Sequence, residues 1–124
     1  MILLILFLSC SIKDKFEKSY YDNGNLRYKA PKKNNNFNGI AKYWDQNGNL
    51  INEVEYLNGM LHGKWVDYYL SGNIKSITNY NFDKKDGLEI YFYENGNKKS
   101  ETLYDNNISV QNTIRWDIKG EILK

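Results

Sequence analysis

One cysteine and one histidine in 124 residues exclude more chemistry than any motif in this chain supplies. With Cys10 alone there is no partner for an intramolecular disulfide and no second thiolate for a metal cluster. With His62 the only histidine and no thiol in the domain after Cys10, a zinc site lacks its ligands and a Cys/His catalytic pair its nucleophile. A charge excess of one sign is missing too. The 17 basic and 15 acidic residues leave a formal charge of +2, which gives no electrostatic footprint for nucleic acid. Long aliphatic runs are absent after residue 12, and there is a single proline. What is abundant is tyrosine (11) and glycine (9), a composition suited to short strands and tight turns rather than buried helices.

The exception is the start, MILLILFLSC, where seven apolar residues follow the initiator Met before Ser9 and Cys10. This run is too short to span a bilayer as a helix. An apolar stretch ending in a small residue is the pattern of a secretory signal, and the cysteine directly after Ser9 resembles the lipidation box of bacterial lipoproteins. That resemblance implies removal of residues 1–9, lipid on Cys10, a charged tether over 10–15 and a folded domain over 16–124. No Lys or Arg precedes the apolar run, and Phe7 stands where that family usually has Leu. The plainer reading of the same residues is a buried apolar strand carrying an ordinary thiol.

The rest of the chain is periodic. Gly24, Gly48, Gly72, Gly96 and Gly120 follow one another at 24-residue intervals, and Gly39, Gly63 and Gly87 repeat the same spacing before it lapses at Gln111. Four residues before each glycine of the first series stand Tyr20, Trp44, Tyr68, Phe92 and Trp116. Two residues after it stand Leu26, Leu50, Ile74, Lys98 and Ile122, and eight after it Lys32, Tyr56, Tyr80 and Tyr104. A fixed period in the twenties marks a repeat architecture. Alternation such as Ile40, Lys42, Trp44 marks strands. Each unit therefore reads as a strand, a turn at the glycine, a longer strand and a looser connection, with units at 16–39, 40–63, 64–87, 88–111 and 112–124. The expected fold class is all-β, an elongated single-layer antiparallel sheet of about five stacked hairpins.

The turn chemistry follows from what precedes the glycine. A two-residue type I′ turn needs positive φ at both central positions, which Ser71 and Lys119 resist. A three-residue loop, type I followed by one left-handed residue in a G1 bulge, asks this only of the glycine. That geometry sets Trp44 opposite Leu50, Tyr68 opposite Ile74 and Phe92 opposite Lys98.

These columns resemble the MORN repeat (membrane occupation and recognition nexus) in the bacterial variant found in YwqK-type antitoxins. The stretches that carry the resemblance are GIAKYWDQNGNLINEVEYLNGMLHG, GKWVDYYLSGNIKSITNYNFDKKDG and GLEIYFYENGNKKSETLY. Departures are Gln111 in place of a second-series glycine, an Asn-rich insertion, PKKNNNFN, at 31–38 and a truncated last hairpin. The resemblance implies a stacked-hairpin sheet used as a binding surface, a protein partner that in some members is a toxin, and no cofactor.

Residue chemistry adds little to this. His62 has Asn38, Asp86 and Val110 as its equivalents, the profile of a polar loop position. Glu53 and Glu101 occupy one repeat column, where a cross-strand ion pair is the ordinary role, and a one-layer sheet offers no cleft in which two carboxylates converge. The basic residues from Arg27 to Lys33 suit anionic headgroups or a solvated loop. If the position four before each glycine faces the packed side, then Tyr43 pairs with Ile51 and Trp65 with Ile77 on the other. This forms an apolar patch for a protein partner or, more plainly, cross-strand pairs that stiffen the hairpins. The resulting expectation is a non-catalytic, monomeric, membrane-anchored envelope lipoprotein that binds protein and no nucleic acid, with a cytoplasmic antitoxin as the alternative.

Overall fold

A computed structural model describes residues 15–124, which form one antiparallel sheet with no helix. Its strands are β1 (Lys15–Tyr20), β2 (Leu26–Lys33), β3 (Asn36–Phe37), β4 (Gly39–Trp44), β5 (Leu50–Leu57), β6 (Met60–Tyr68), β7 (Ile74–Asn81), β8 (Lys84–Phe92), β9 (Lys98–Asp105), β10 (Ile108–Ser109) and β11 (Ile114–Arg115). Neighbours in sequence are neighbours in space along β1-β2-β4-β5-β6-β7-β8-β9-β10, with β3 also on β2 and β11 also on β9. This is the hairpin stack that the period predicts. Cys10, the expected signal and most of the tether lie outside the described residues.

The first turn has the expected geometry, and Gly72 shows why it needs glycine. The Gly72 N–H donates to the Tyr69 carbonyl at 2.9 Å and the Tyr69 N–H to the Asn73 carbonyl at 2.8 Å, closing a type I turn with its bulge. Ser71 keeps a negative φ, while Gly72 sits at +87°, where an L side chain is strained. The five first-series glycines share this conformation, with φ from 86° to 92°. The expected pairs are present: Trp44 with Leu50, Tyr68 with Ile74 and Phe92 with Lys98. Trp116 and Ile122 form the same bridge in the truncated last unit.

The connections between units differ from expectation. They are not loose: Asn34–Asn35, Asn58–Gly59, Phe82–Asp83 and Asn106–Asn107 all have positive φ, the signature of two-residue type I′ turns, and they too recur every 24 residues. Residues 31–38 are therefore no insertion, since Asn34–Asn35 is in phase with the other turns. The unit limits drawn at 39/40, 63/64 and 87/88 fall inside β4, β6 and β8, and Gly63 lies within a strand instead of closing a unit. Its φ is 112°, it sits at an irregularity in the β5–β6 register, and a Cβ there would collide with the Glu55 carboxylate, which accepts the Lys64 N–H. Glycine is kept at this position by the backbone and by that close approach together.

Both edges of the sheet are laced from unit to unit. At the first-turn edge the Tyr21 hydroxyl donates to the Trp44 carbonyl, Tyr69 to that of Phe92 and Tyr93 to that of Trp116, at 2.7–2.9 Å. Asp45 and Asp117 occupy the same column and instead cap their own turns, each accepting two backbone N–H groups at 2.9 Å. At the other edge the Asp83 N–H donates to the Leu61 carbonyl and the Asp83 carboxylate accepts the Leu61 N–H; Asn107 does the same with Lys85.

Candidate interaction surface

Each hairpin carries one extra residue just after the glycine turn. Tyr43 is opposite Asn52 and Trp44 opposite Leu50, which leaves Ile51 as a bulge with no partner. Because side chains alternate with period two, one added residue transfers everything beyond it to the other face. The expected pairs are thereby corrected. Tyr43 faces Asn52 instead of Ile51, Trp65 faces Val54 and Thr78 instead of Ile77, and Ile77 lies between Val66 and Ile90 on the opposite face. In the fourth unit the same register sets Tyr91 opposite Ser100 and Glu89 opposite Thr102. Of the four residues expected to form a patch, the structure brings Tyr43 and Trp65 to one face and puts Ile77 on the other.

The corrected register also reverses which face is covered. One transverse row runs Tyr28, Tyr43, Asn52, Asp67, Ser76, Tyr91, Ser100, and the next runs Ala41, Val54, Trp65, Thr78, Glu89, Thr102. Among the described residues every buried one lies on this face. Ala41 and Val54 are at most 1% exposed, although no second layer packs on them in the described chain. Their cover comes from larger neighbours on the same face. Tyr28 and Tyr43 rings lie 5.7 Å apart, Phe37 stands edge-on to Tyr28 and Tyr56 at 6.3 and 5.5 Å, and Trp65 lies 6.2 Å from Tyr80. Small side chains on the central row and rings around them make a walled aromatic surface.

Along the chain this face changes from apolar to polar. Burial, and then the 3.4 Å contact with the Tyr43 hydroxyl, hold the Tyr56 phenol protonated well above its ordinary range. Further on, the Trp65 indole Nε1–H donates to Asp67 Oδ1 at 3.0 Å and Ser76 Oγ to Asp67 Oδ2 at 2.8 Å. Glu89, buried beside Thr78, accepts from Lys85 Nζ at 2.5 Å. Burial is the largest single influence on Lys85 and would lower its pKa, but the bond to Glu89, its charge and the Tyr104 and Tyr80 phenols together outweigh it and the net shift is upward. Lys85 Nζ also lies 4.9 Å from the Tyr104 ring centre.

The opposite face is less covered, and its middle carries Val66, Ile77 and Ile90 in register. Glu53 is paired there with Lys42 at 2.6 Å and accepts the Tyr68 hydroxyl at 3.2 Å, while Glu101 is held by Lys98. His62 stacks on Phe82 with ring centres 4.5 Å apart, and its Nδ1 is buried without a partner. Among the described residues no three His, Cys, Asp or Glu side chains are placed to hold a metal ion.

Sequence reasoning missed Asn52, Asp67, Ser76 and the Lys85–Glu89 pair as members of one face. The residue types carry no signal of this: the bulge that follows each G1 turn falls on Ile51, Lys75 and Lys99, which share no bulge-forming character, and it shifts the alternation by one.

An open sheet built by repeating one hairpin, with paired glycine columns and an aromatic-walled face, defines a hairpin-repeat protein of the MORN type. Residues 17–34, 37–58, 61–81 and 85–106 each match the family model of the MORN repeat variant, and the chain belongs to that family. Each match begins on one strand, crosses a first-series glycine and ends at or beside a type I′ turn, so the family unit is the hairpin seen in the sheet. No curated protein gives a significant match to the chain.

Proposed function

We propose that this chain is a non-catalytic scaffold of the cell envelope, anchored by lipid on Cys10, which holds a protein partner on the face that carries Tyr43 and Trp65. The observation that carries the binding role is that face: a row of buried small residues walled by Tyr28, Tyr43, Tyr56 and Trp65 and covered by nothing in the described chain. Rings that lose little conformational entropy on binding dominate interface energetics, and removing one at the centre of an interface costs on the order of 2 kcal/mol or more. The support for the anchor is the sequence SerCys after an apolar run.

Two experiments test the halves separately. Metabolic labelling with palmitate and fractionation should place the chain with membranes, and Cys10→Ala should release it; an unlabelled soluble protein refutes the anchor. Affinity capture with Tyr43→Ser/Trp65→Ser should lose partners that an Ile77→Ser control on the opposite face retains. Equal retention by both variants refutes the assigned face. A captured toxin encoded beside this chain, together with failure of lipid labelling, would replace the lipoprotein reading with that of an antitoxin.

A further inference from the structure

Among the described residues three strand carboxylates lie on the aromatic-walled face, and one of the three lacks a cation. Glu17 is held by Lys32 at 2.7 Å and Glu89 by Lys85 at 2.5 Å. Asp67, in the middle of the sheet, has no Lys, Arg or His within ion-pair distance among the described residues; its bonds are to two neutral donors, the Trp65 indole and the Ser76 hydroxyl. Directly opposite it on β5 is Asn52, whose Oδ1 is buried with no hydrogen-bond partner. A buried acceptor left unmade is costly, and directly opposed side chains in a sheet have Cβ atoms about 4.5–5.5 Å apart, so one donor group can serve both.

From this we infer that Asp67 and Asn52 form a seat for an arginine side chain of the partner protein. The inference rests on the scaffold reading and deepens it. The seat offers a carboxylate and an unpaired amide oxygen from directly opposed residues, next to the Trp65 ring. A guanidinium has five N–H donors in a planar fork and no acceptor, and its plane stacks on aromatic rings. It supplies the missing charge, lies against Trp65 and bonds Asn52 Oδ1 once that amide turns outward to meet it. An ammonium meets the charge but stacks less well, and an anionic group such as a phosphate is repelled by the unpaired carboxylate. Across the row, Tyr43 and Tyr91 stand two strands away on either side, about 10 Å from Asp67, and wall the seat.

The test uses the full chain, 15N-labelled, and three peptides, acetyl-Val-Arg-Val-amide and its lysine and citrulline counterparts, followed through the Trp65 indole N–H resonance assigned with Trp65→Phe. The arginine peptide should shift that resonance saturably. The lysine peptide should bind at least fivefold more weakly. The citrulline peptide, which keeps the shape and loses the charge, should not saturate. Asp67→Asn keeps an acceptor oxygen for the Trp65 indole and offers its amide N–H to the Ser76 hydroxyl, and should bind the arginine peptide tenfold or more weakly with its melting temperature within a few degrees of wild type. Asn52→Leu should also weaken binding while holding or raising the melting temperature, because it removes an unmade acceptor. Equal shifts from the citrulline peptide, unaltered binding by Asp67→Asn, or no saturable shift from the arginine peptide overturns the inference. Partners captured by Asp67→Asn but lost with Tyr43→Ser/Trp65→Ser overturn the arginine seat and leave the scaffold standing. Partners that ignore both variants remove the scaffold face, and the peptide titration still reports on Asp67 alone.

Discussion

Replacing Gly72 isolates backbone strain from packing, because a Cβ added there meets no atom within 4 Å. The whole penalty then comes from holding an L residue at φ +87°. For alanine that is about 1 kcal/mol, for asparagine less, because its side chain tolerates the left-handed region, and for valine about 2–3 kcal/mol, because a β-branched residue there is an outlier. With an unfolding entropy near 2.1 cal/mol/K per residue over 110 folded residues, each kcal/mol lowers the melting temperature by about 4 °C. Gly72→Asn should therefore fall by less than about 4 °C, Gly72→Ala by about 4 °C and Gly72→Val by about 8–12 °C, read by urea and thermal melts on tryptophan fluorescence. Gly63 gives the contrast, since its added Cβ also collides with Glu55. Gly63→Ala should cost more than Gly72→Ala, and the double variant with Glu55→Ala should recover the difference. If Gly72→Val is neutral, or asparagine costs as much as valine, the left-handed turn is misassigned.

Other expectations follow from the packing and the edges. Val54→Ala should cost about 1–2 kcal/mol by emptying the centre of the walled face, and Ala41→Leu about 1–3 kcal/mol by overfilling it, both measured by urea denaturation. Tyr69→Phe removes the hydroxyl that donates to Phe92 at 2.7 Å and should cost about 0.5–1.5 kcal/mol, with faster amide exchange in the turns on either side of that bond. Burial is the first cause of the raised phenol pKa of Tyr56, Tyr68 and Tyr91, while for Tyr28 it is the hydrogen bond to Glu17. A raised folded pKa binds the proton more tightly in the native state, so this stability is complete below about pH 10 and is lost as pH rises through the folded values. Alkaline melts should show that loss, and Tyr56→Phe should blunt it.

The period, the strand content, the G1 turn and the pairs Trp44–Leu50 and Tyr68–Ile74 were legible because each rests on a local rule: glycine for a left-handed residue, alternation for a strand. The type I′ turns were harder to read. Asn58–Gly59 is a strong hairpin signal, but the same turn at Phe82–Asp83 carries residues seldom chosen for positive φ, so composition hides a column that the backbone keeps. The face of Tyr43 and Trp65 was misread for a geometric reason. Ile51, Lys75 and Lys99 are the unpaired residues that shift the register in their hairpins, and nothing in their identity announces a bulge. A one-residue uncertainty in a period-two structure becomes a complete exchange of inside and outside. Asp67 and Asn52 were invisible for the same reason, since only the true register makes them opposite.

The lacing at the two edges has a consequence for how such a chain changes length. A turn hydroxyl reaches only to the carbonyl 23 residues on, and a type I′ turn only to the strand one unit back. Excising or duplicating 24 residues between equivalent positions therefore closes the ladder on itself with every backbone donor still matched, and it widens or narrows the sheet by two strands, about 10 Å. An excision of 23 residues would place every later side chain on the wrong face. A lineage built on this hairpin thus grows and shrinks by whole units, and the breadth of surface it offers a partner is inherited in steps of two strands.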